Sequence, residues 1–186
     1  MKNHIYLVRH AHAQWTPDEN RPLSAQGSRD AQRVADLLQN YPIRAIYSSP
    51  ERRAYQTIAP LAERMGISIK IEADLGERKL GDAVFEDFFG AVQATWQNPS
   101  FAHPGGESSV EAQRRGLALV KRLQAESPDE AFVLSTHGNL MALILQAFDP
   151  CIDFAFWKSL TMPDVYNLTI HSPGEGIIQR MWNEAR

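Results

Sequence analysis

The sequence has very little cysteine and no strong excess of charge of either sign. Cys151 is the only cysteine among 186 residues, so the chain cannot form an internal disulfide, and we expect this residue to be a small buried filler. The formal net charge is −3, which excludes the strongly basic surface that binds nucleic acid or anionic lipid without sequence preference. An anionic substrate must therefore be met by a local group of cationic side chains.

Long apolar runs, repeats and low-complexity tracts are also lacking. The apolar run near the N-terminus, at positions 5–8, is too short for a signal peptide or a membrane span, so we predict a cytoplasmic protein without nucleic-acid or membrane partners. No segment resembles a linker, and 44% of the residues are apolar, which is enough for a sizeable core. We therefore predict one domain over 1–186, with no decisive patch for self-association.

What the sequence does contain is an alternation of short apolar runs and helical patterns. Buried strands are predicted at 5–8, 43–47, 67–71 and 131–134, with weaker candidates at 165–170 and 176–182. Helices are predicted from 24 to about 38, over 52–65 with an interruption or kink at Pro60, from 108 to about 127, and over 140–148. In the less regular stretch at 74–107, a short helix is predicted near 85–96, and the part at 81–104 is predicted to form a short cap. This alternation predicts an α/β fold, a three-layer α/β/α sandwich with a mainly parallel central sheet.

Charged and polar side chains follow several of the predicted strands. Arg9 and His10 come directly after the first strand, and His137 follows the strand at 131–134. Arg53 lies in the first turn of a helix after the second strand, and Glu77 lies in a loop after the third. Taken singly, each is explained as a solvated strand end, helix face or surface loop. Ligands of open α/β sheets, however, bind beyond the carboxyl ends of the strands, where these segments meet.

Together these residue types form a chemically complete set for phosphoryl transfer. A transferring phosphoryl group spreads charge over three oxygens, which Arg9, Arg53 and His137 can stabilise as hydrogen-bond donors. A neutral imidazole such as that of His10 is a competent nucleophile near neutral pH. The carboxylic acid of Glu77 can protonate a departing alkoxide. Gly138 lets the backbone approach a bound group at the start of a helix, whose N-terminus favours an anion.

Six segments in this order resemble the histidine phosphatase superfamily, also called the phosphoglycerate mutase-like family. They are Leu7-Val8-Arg9-His10, Pro22-Leu23-Ser24 with Gly27, the stretch 48–57, Leu75-Gly76-Glu77, Gly105-Gly106-Glu107-Ser108 and Ser135-Thr136-His137-Gly138. The resemblance covers the chain from position 6 to about 170. It implies a phosphoglycerate mutase-like fold and a metal-independent phosphatase that uses no cofactor.

Carried over position by position, the resemblance implies that His10 is the phosphorylated nucleophile and Glu77 the proton donor. It implies also that Arg9, Arg53 and His137 form the phosphate pocket, with Thr16 and Gly138 as further substrate-binding positions. The chain departs from the family after the nucleophile, where 11–13 reads Ala-His-Ala instead of Gly-Glu-Thr or Gly-Glu-Ser. This short, altered form resembles the small phosphatases more than the mutases. The expected substrates are small phosphate monoesters, such as sugar or nucleotide phosphates, or phosphohistidine on a protein.

Two other interpretations remain open at this point. His10 and His12 alternate along an extended segment, which is how some metal-dependent hydrolases present two ligands. Such enzymes generally need a barrel of about 250 residues, which is longer than this chain. The pocket could alternatively bind a phosphorylated ligand or partner without catalysis. Loss of activity with a chelator would favour the first alternative, and absence of turnover the second.

Overall fold

The protein is built on one six-stranded sheet. A computed structural model describes residues 2–16, 20–172 and 174–183 of the chain. The strands are β1 (Asn3–Arg9), β2 (Ile43–Ser48), β3 (Ile69–Ile71), β4 (Ala131–Thr136), β5 (Asp164–Ser172) and β6 (Glu175–Arg180). Their order across the sheet is β3-β2-β4-β1-β5-β6. The first four strands run parallel to one another, and β5 and β6 are antiparallel to their neighbours.

Six α-helices and one 3₁₀ turn connect the strands within the described residues. The helices are α1 (Ala25–Leu38), α2 (Arg52–Met65), α3 (Phe88–Gln97), α4 (Ser109–Glu126), α5 (Gly138–Gln146) and α6 (Phe154–Ser159), and the 3₁₀ turn is Ala73–Leu75. Side-chain caps fix several helix starts: Ser24 caps α1, Asp87 caps α3, and Ser108 forms a capping box with Glu111 at α4. Among the described residues, no helix combines the length and the apolar character needed to cross a membrane.

The core lies on both faces of the sheet, because successive side chains of a strand point to opposite sides. Ile5 and Leu7 of β1 belong to the cluster that packs against α4 and α5, whereas Tyr6 and Val8 belong to the cluster that packs against α1 and α2. All four side chains are buried. The prediction of a three-layer sandwich around a mainly parallel sheet is therefore confirmed.

Three local features differ from the sequence-based expectations. Helix α2 is continuous through Pro60, so it is not interrupted there. Helix α6 was not predicted, because six residues are too few to show a helical period. Cys151 is exposed, so the expectation of a buried filler is wrong. It lies in the short surface connection between α5 and α6, where its backbone N–H donates to Asp149 Oδ1 at 2.9 Å.

Candidate functional site

Three adjacent parallel strands end at the same level and carry the candidate site. In the register of the sheet, Val8 of β1 and Ser48 of β2 both pair with Ser135 of β4. The next residues along these strands are therefore brought to one edge of the sheet. His10 N–H donates to the Thr136 carbonyl at 3.0 Å, and the His10 and His137 ring centroids lie 5.1 Å apart. Two histidines separated by 127 positions in the sequence thus become neighbours.

The His10 ring is held in one tautomer. Its Nδ1 lies 2.8 Å from the Ala11 carbonyl oxygen, which can only accept, so Nδ1 carries the proton and Nε2 keeps a lone pair. Burial lowers the pKa of His10 well below its ordinary value, and the neighbouring His137, Arg53 and Arg9 lower it further, against a smaller opposing effect of the Ala11 carbonyl. His10, which lines the pocket, is therefore an uncharged imidazole at neutral pH and keeps a nucleophilic nitrogen.

His137 is fully buried and contacts groups on both of its ring nitrogens. Arg53 Nη2 lies 3.2 Å from His137 Nδ1. On the other side, His137 Nε2 lies 2.8 Å from Ser49 Oγ and 3.2 Å from Glu51 Oε2. The strand end at Ser48 and the first turn of α2 supply these contacts, because Pro50 turns the chain from β2 directly into the helix.

Arg9 is held against Gly138. Its Nη1 donates to the carbonyl oxygens of Leu160 at 2.7 Å and Thr161 at 3.2 Å. A Cβ atom on Gly138 would lie only 2.8 Å from Arg9 Nε, so the guanidinium occupies the space that a side chain would fill. Burial lowers the pKa of Arg9, an effect opposed by Glu77 and Asp164, and a guanidinium in this position stays charged. The glycine that opens α5 thus allows a fixed cation to lie beside the two imidazoles.

Glu77 faces the same pocket from the loop after the 3₁₀ turn. Its backbone N–H donates to Glu51 Oε1 at 3.3 Å, and its own Oε1 accepts from the Arg78 backbone N–H at 2.9 Å. The pocket has a volume of about 510 Å³, within the usual range for small-molecule sites. His10, Arg53 and Glu77 line it. The structure therefore brings five of the predicted site residues into one neighbourhood, although Arg9 and His137 are not among the described residues that line the pocket.

Several pocket residues were not anticipated from the sequence. Arg21, Arg78 and Asn139 line the pocket together with His12, and Arg78 is only 5% exposed. Most buried polar side-chain atoms have a hydrogen-bond partner, but the buried Nε atoms of Arg21 and Arg78 and Asn139 Oδ1 make no hydrogen bond to the described residues. Arg21, Arg78 and Asn139 each lie directly next to a segment that carries the family resemblance, but that adjacency alone does not mark them as pocket residues. Thr16, which was predicted to contact substrate, is not among the described residues that line the pocket.

The remaining wall of the pocket is apolar. It consists of Leu80, Phe88, Val92, Trp157 and Met162, with Trp15 at the mouth. Phe88 and Val92 belong to α3, the helix within the segment predicted to be a cap, and Trp15 is 76% exposed. A cationic floor and an apolar wall suit a small molecule that carries an anionic group at one end.

His12 has a structural contact of its own. Its Nδ1 lies 2.9 Å from Ser24 Oγ, the cap of α1. The part of the chain that the structure describes contains no cluster of three or more His, Cys, Asp or Glu side chains suited to a metal ion. The geometry thus offers no third ligand of these types to accompany His10 and His12 as a metal site.

Comparisons with known proteins give a consistent result. The family model for the histidine phosphatase superfamily (branch 1) matches residues 5–184. Over 140 residues the chain is 34% identical to glucosyl-3-phosphoglycerate phosphatase of Mycobacterium tuberculosis, a match that covers 67% of this chain and 63% of that relative. The aligned part is thus less than two thirds of that relative's length. The chain is also 30% identical over 156 residues to a probable phosphoglycerate mutase of Klebsiella pneumoniae, covering 76% of this chain and 72% of that protein.

Solved structures show the same relationship. The complex of mycobacterial glucosyl-3-phosphoglycerate phosphatase with inorganic phosphate superimposes with a TM-score of 0.78 and 27% identity, covering 98% of this chain and 97% of that one. The resemblance inferred from the six sequence segments is therefore confirmed by the family model and by the fold. The chain belongs to the histidine phosphatase superfamily, branch 1.

Proposed function

We propose that this protein is a phosphatase that hydrolyses phosphate monoesters in two steps, through a covalent phosphohistidine on His10. The observation that carries the proposal is the state of His10: a buried, uncharged imidazole that lines the pocket, keeps a lone pair on Nε2 and lies beside His137. A nucleophile of this kind needs no separate base, unlike a serine hydroxyl.

In the first step, His10 Nε2 attacks the phosphorus atom in line with the leaving oxygen. The phosphorus–nitrogen bond forms as the phosphorus–oxygen bond to the leaving group breaks. Arg9, Arg53 and His137 stabilise the negative charge on the three remaining oxygens. Glu77, in its acid form, transfers a proton to the departing alkoxide, so the alcohol leaves uncharged.

In the second step, water attacks the phosphohistidine. Glu77, now a carboxylate, accepts a proton from that water as the new phosphorus–oxygen bond forms and the bond to Nε2 breaks. Inorganic phosphate is released and His10 returns to its neutral form. The same two carboxyl protonation states thus serve both halves of the cycle, and no cofactor takes part.

The substrate class that the pocket favours is a small phosphorylated molecule. A volume of about 510 Å³ admits a phosphate and a leaving group of modest size. The relative from Mycobacterium tuberculosis is named for a phosphorylated small molecule, which supports this choice. Phosphohistidine on a partner protein is the second candidate, since the Arg-His-Ala start at 9–11 resembles the protein phosphohistidine phosphatases. Hydrolysis of glucosyl-3-phosphoglycerate, phosphoserine and a phosphohistidine peptide, compared at equal concentration, separates these classes.

The role of His10 is tested with a generic aryl phosphate. Turnover should be lost in His10→Ala and retained in His171→Ala, a matched control whose exposed side chain lies in β5. Labelled substrate should leave label on the wild-type protein after an alkaline quench, which preserves phosphohistidine. Retained turnover in His10→Ala, or a wild type that turns over without ever carrying label, would refute the intermediate.

The role of Glu77 is tested through the leaving group. A phenol with electron-withdrawing substituents leaves readily as an anion, whereas an alkyl alcohol needs a proton in the transition state. The first-turnover release rate in Glu77→Gln should therefore fall much more for an alkyl phosphate than for such an aryl phosphate. Equal losses for the two substrates would show that Glu77 is not the proton donor.

We also propose two features of organisation that support this function. The segment at 81–104 acts as a cap on a single domain, because Phe88 and Val92 of α3 line the pocket.

The second feature that we propose is a cytoplasmic location. It agrees with a single exposed cysteine in a chain that has no disulfide, and cell fractionation of a tagged protein tests it.

A further inference from the structure

A second carboxylate, that of Glu51, lies behind the phosphate site. Glu51 is the N-cap residue of α2, but its side chain makes no capping hydrogen bond, and it is partly buried. Its Oε2 accepts from Ser49 Oγ at 2.6 Å and lies 3.2 Å from His137 Nε2, and its Oε1 accepts from the Glu77 N–H at 3.3 Å. The carboxylate therefore touches the residue after β2, the imidazole after β4 and the backbone of the predicted proton donor.

The donors and acceptors around His137 fix where its proton lies. A guanidinium has no acceptor, so the contact from Arg53 Nη2 requires His137 Nδ1 to accept. The Ser49 hydroxyl uses its only proton toward Glu51, so it must accept from His137 Nε2 at 2.8 Å. His137 in this state is consequently a neutral ring that is protonated on Nε2.

A neutral His137 in this tautomer presents the Nδ1 lone pair toward Arg53, which lines the pocket, and cannot donate from Nδ1 to a phosphate oxygen. To become a donor there, Nδ1 must take up a proton, and the ring then carries a positive charge. His10 and Arg53 lie next to the ring, Arg9 acts on the neighbouring His10, and Glu77 faces the same pocket from the loop after the 3₁₀ turn. Glu51 is the anion in contact with it, and hydrogen bonds from His137 and Ser49 outweigh burial and hold the pKa of Glu51 below its ordinary value.

We propose that Glu51 is a positioning residue that allows His137 to bind the phosphate as an imidazolium. When a phosphate-like dianion draws Arg53 away from Nδ1, His137 takes one proton from solvent on Nδ1 and donates it in a hydrogen bond to the anion. Glu51 keeps Nε2–H in place and compensates the new charge. This inference rests on the proposed phosphate site, and it makes anion binding a proton-coupled event.

Calorimetry with tungstate tests the proposal. Tungstate is a tetrahedral dianion that does not titrate near neutral pH, so any proton taken up when it binds must be bound by the protein and not by the anion. In two buffers of different ionisation enthalpy at pH 7.5, wild type should take up close to one proton per tungstate bound. Because this measurement needs no variant, it is independent of any effect of mutation on folding.

Variants of Glu51 then assign the effect. Glu51→Gln keeps the shape and removes the charge, so tungstate affinity at pH 8 should fall by about 10- to 100-fold, the range for a lost charge-assisted contact. Because the variant should take up fewer protons on binding than wild type, its tungstate affinity should depend less on pH, and its loss relative to wild type should grow as pH falls from 8 to 7. Glu51→Asp should restore part of the proton uptake. Glu63→Gln, at an exposed position on the same helix, is the matched control and should match wild type.

The possible outcomes separate this inference from the proposed function. An equal loss of affinity at every pH in Glu51→Gln would indicate a merely structural role and overturn the proposal. A wild type that hydrolyses aryl phosphate but takes up no proton with tungstate would overturn the role of Glu51 and leave the phosphatase assignment intact. A wild type that neither hydrolyses the ester nor binds tungstate would overturn both.

Discussion

Replacing Gly138 with alanine would place a methyl group against the Arg9 guanidinium. The added Cβ would lie 2.8 Å from Nε, 2.9 Å from Cζ and 3.2 Å from Nη2 of Arg9. Gly138 is not among the glycines with positive φ, so alanine fits the backbone itself. The perturbation therefore acts on one side chain and leaves the start of α5 in place.

The size of the effect follows from these distances. Ordinary van der Waals contact is at about 3.5 Å, so the guanidinium must move by roughly 0.7 Å. Such a movement strains the hydrogen bond from Arg9 Nη1 to the Leu160 carbonyl, which is 2.7 Å long. Displacement of a positioning group by about 1 Å can cost about 100-fold in rate. We expect kcat/KM for an aryl phosphate to fall by about 30- to 100-fold, which corresponds to about 2 to 3 kcal/mol.

The free energy of unfolding should change much less than the activity. The atoms that must move belong to the end of a flexible side chain, and alanine gains up to about 1 kcal/mol of helix propensity over glycine. Steady-state kinetics and urea unfolding of the purified variant measure the two effects separately. We expect the unfolding free energy of Gly138→Ala to lie within about 1 kcal/mol of wild type.

Gly116→Ala provides the opposite control. A Cβ at Gly116 in α4 would lie 2.8 Å from Ile144 Cδ1 and Cγ1 in the core, away from the arginine. It should lower the unfolding free energy by about 1–3 kcal/mol through overpacking and leave kcat/KM of the folded protein unchanged. If Gly138→Ala were as active as wild type, the guanidinium would not be held against Gly138 in the way described, and the assignment of Arg9 to the phosphate site would lose its main support.

Three further predictions follow from the same geometry. Thr57→Val should lower the free energy of unfolding, measured in urea, by about 1–3 kcal/mol. The reason is that Thr57 Oγ1 accepts from the buried Ala11 N–H at 2.9 Å and donates to the Arg53 carbonyl at 2.7 Å. Thr57→Ser keeps the hydroxyl and should stay near wild type. The pKa of His10 is depressed in the folded state, so the unfolded chain binds the proton first as pH falls below about 6.5, and the free energy of unfolding should decrease there by up to about 1.4 kcal/mol per pH unit. His10→Asn should lack this contribution. If urea titrations from pH 7 to 5 gave the same slope for both proteins, the burial argument would be contradicted. EDTA should leave aryl phosphate turnover unchanged, whereas loss that zinc or manganese restores would favour metal ligation by His10 and His12.

The sequence was most informative where burial leaves a clear pattern. The run at 5–8 is apolar because all four side chains lie in the core, on the two faces of the sheet. Positions directly after such a run, including Arg9 and His10, therefore lie at a sheet edge whatever the details of the fold. Strand direction is a different matter. The candidates at 165–170 and 176–182 became the antiparallel strands β5 and β6, because pairing with β1 depends on partners that are distant in sequence.

The roles of Glu51 and Arg78 show why part of the site could not be predicted from the sequence. Glu51 lies 86 positions from His137 in the sequence and directly before Arg52 and Arg53. A carboxylate at the N-cap position of a helix is common, so nothing in the local sequence indicates that it contacts a distant imidazole. Arg78 follows Glu77 in an irregular loop, where no period indicates which side chain is buried. Such contacts depend on the relative placement of loops, which short-range patterns do not record.

The order of the strands explains why one imidazole connects the parts of this site. Strand β4 lies between β1 and β2, so the residue that follows β4 has the nucleophile segment on one side and the start of α2 on the other. His137 accordingly contacts His10 across one gap and Ser49, Glu51 and Arg53 across the other. A central strand in a parallel sheet is buried on both faces, which fixes its carboxyl end more rigidly than that of an edge strand. A change in charge at Glu51 therefore acts on His10 through a single, fully buried ring, that of His137. The three strands need not move for Glu51 and His10 to be electrostatically coupled.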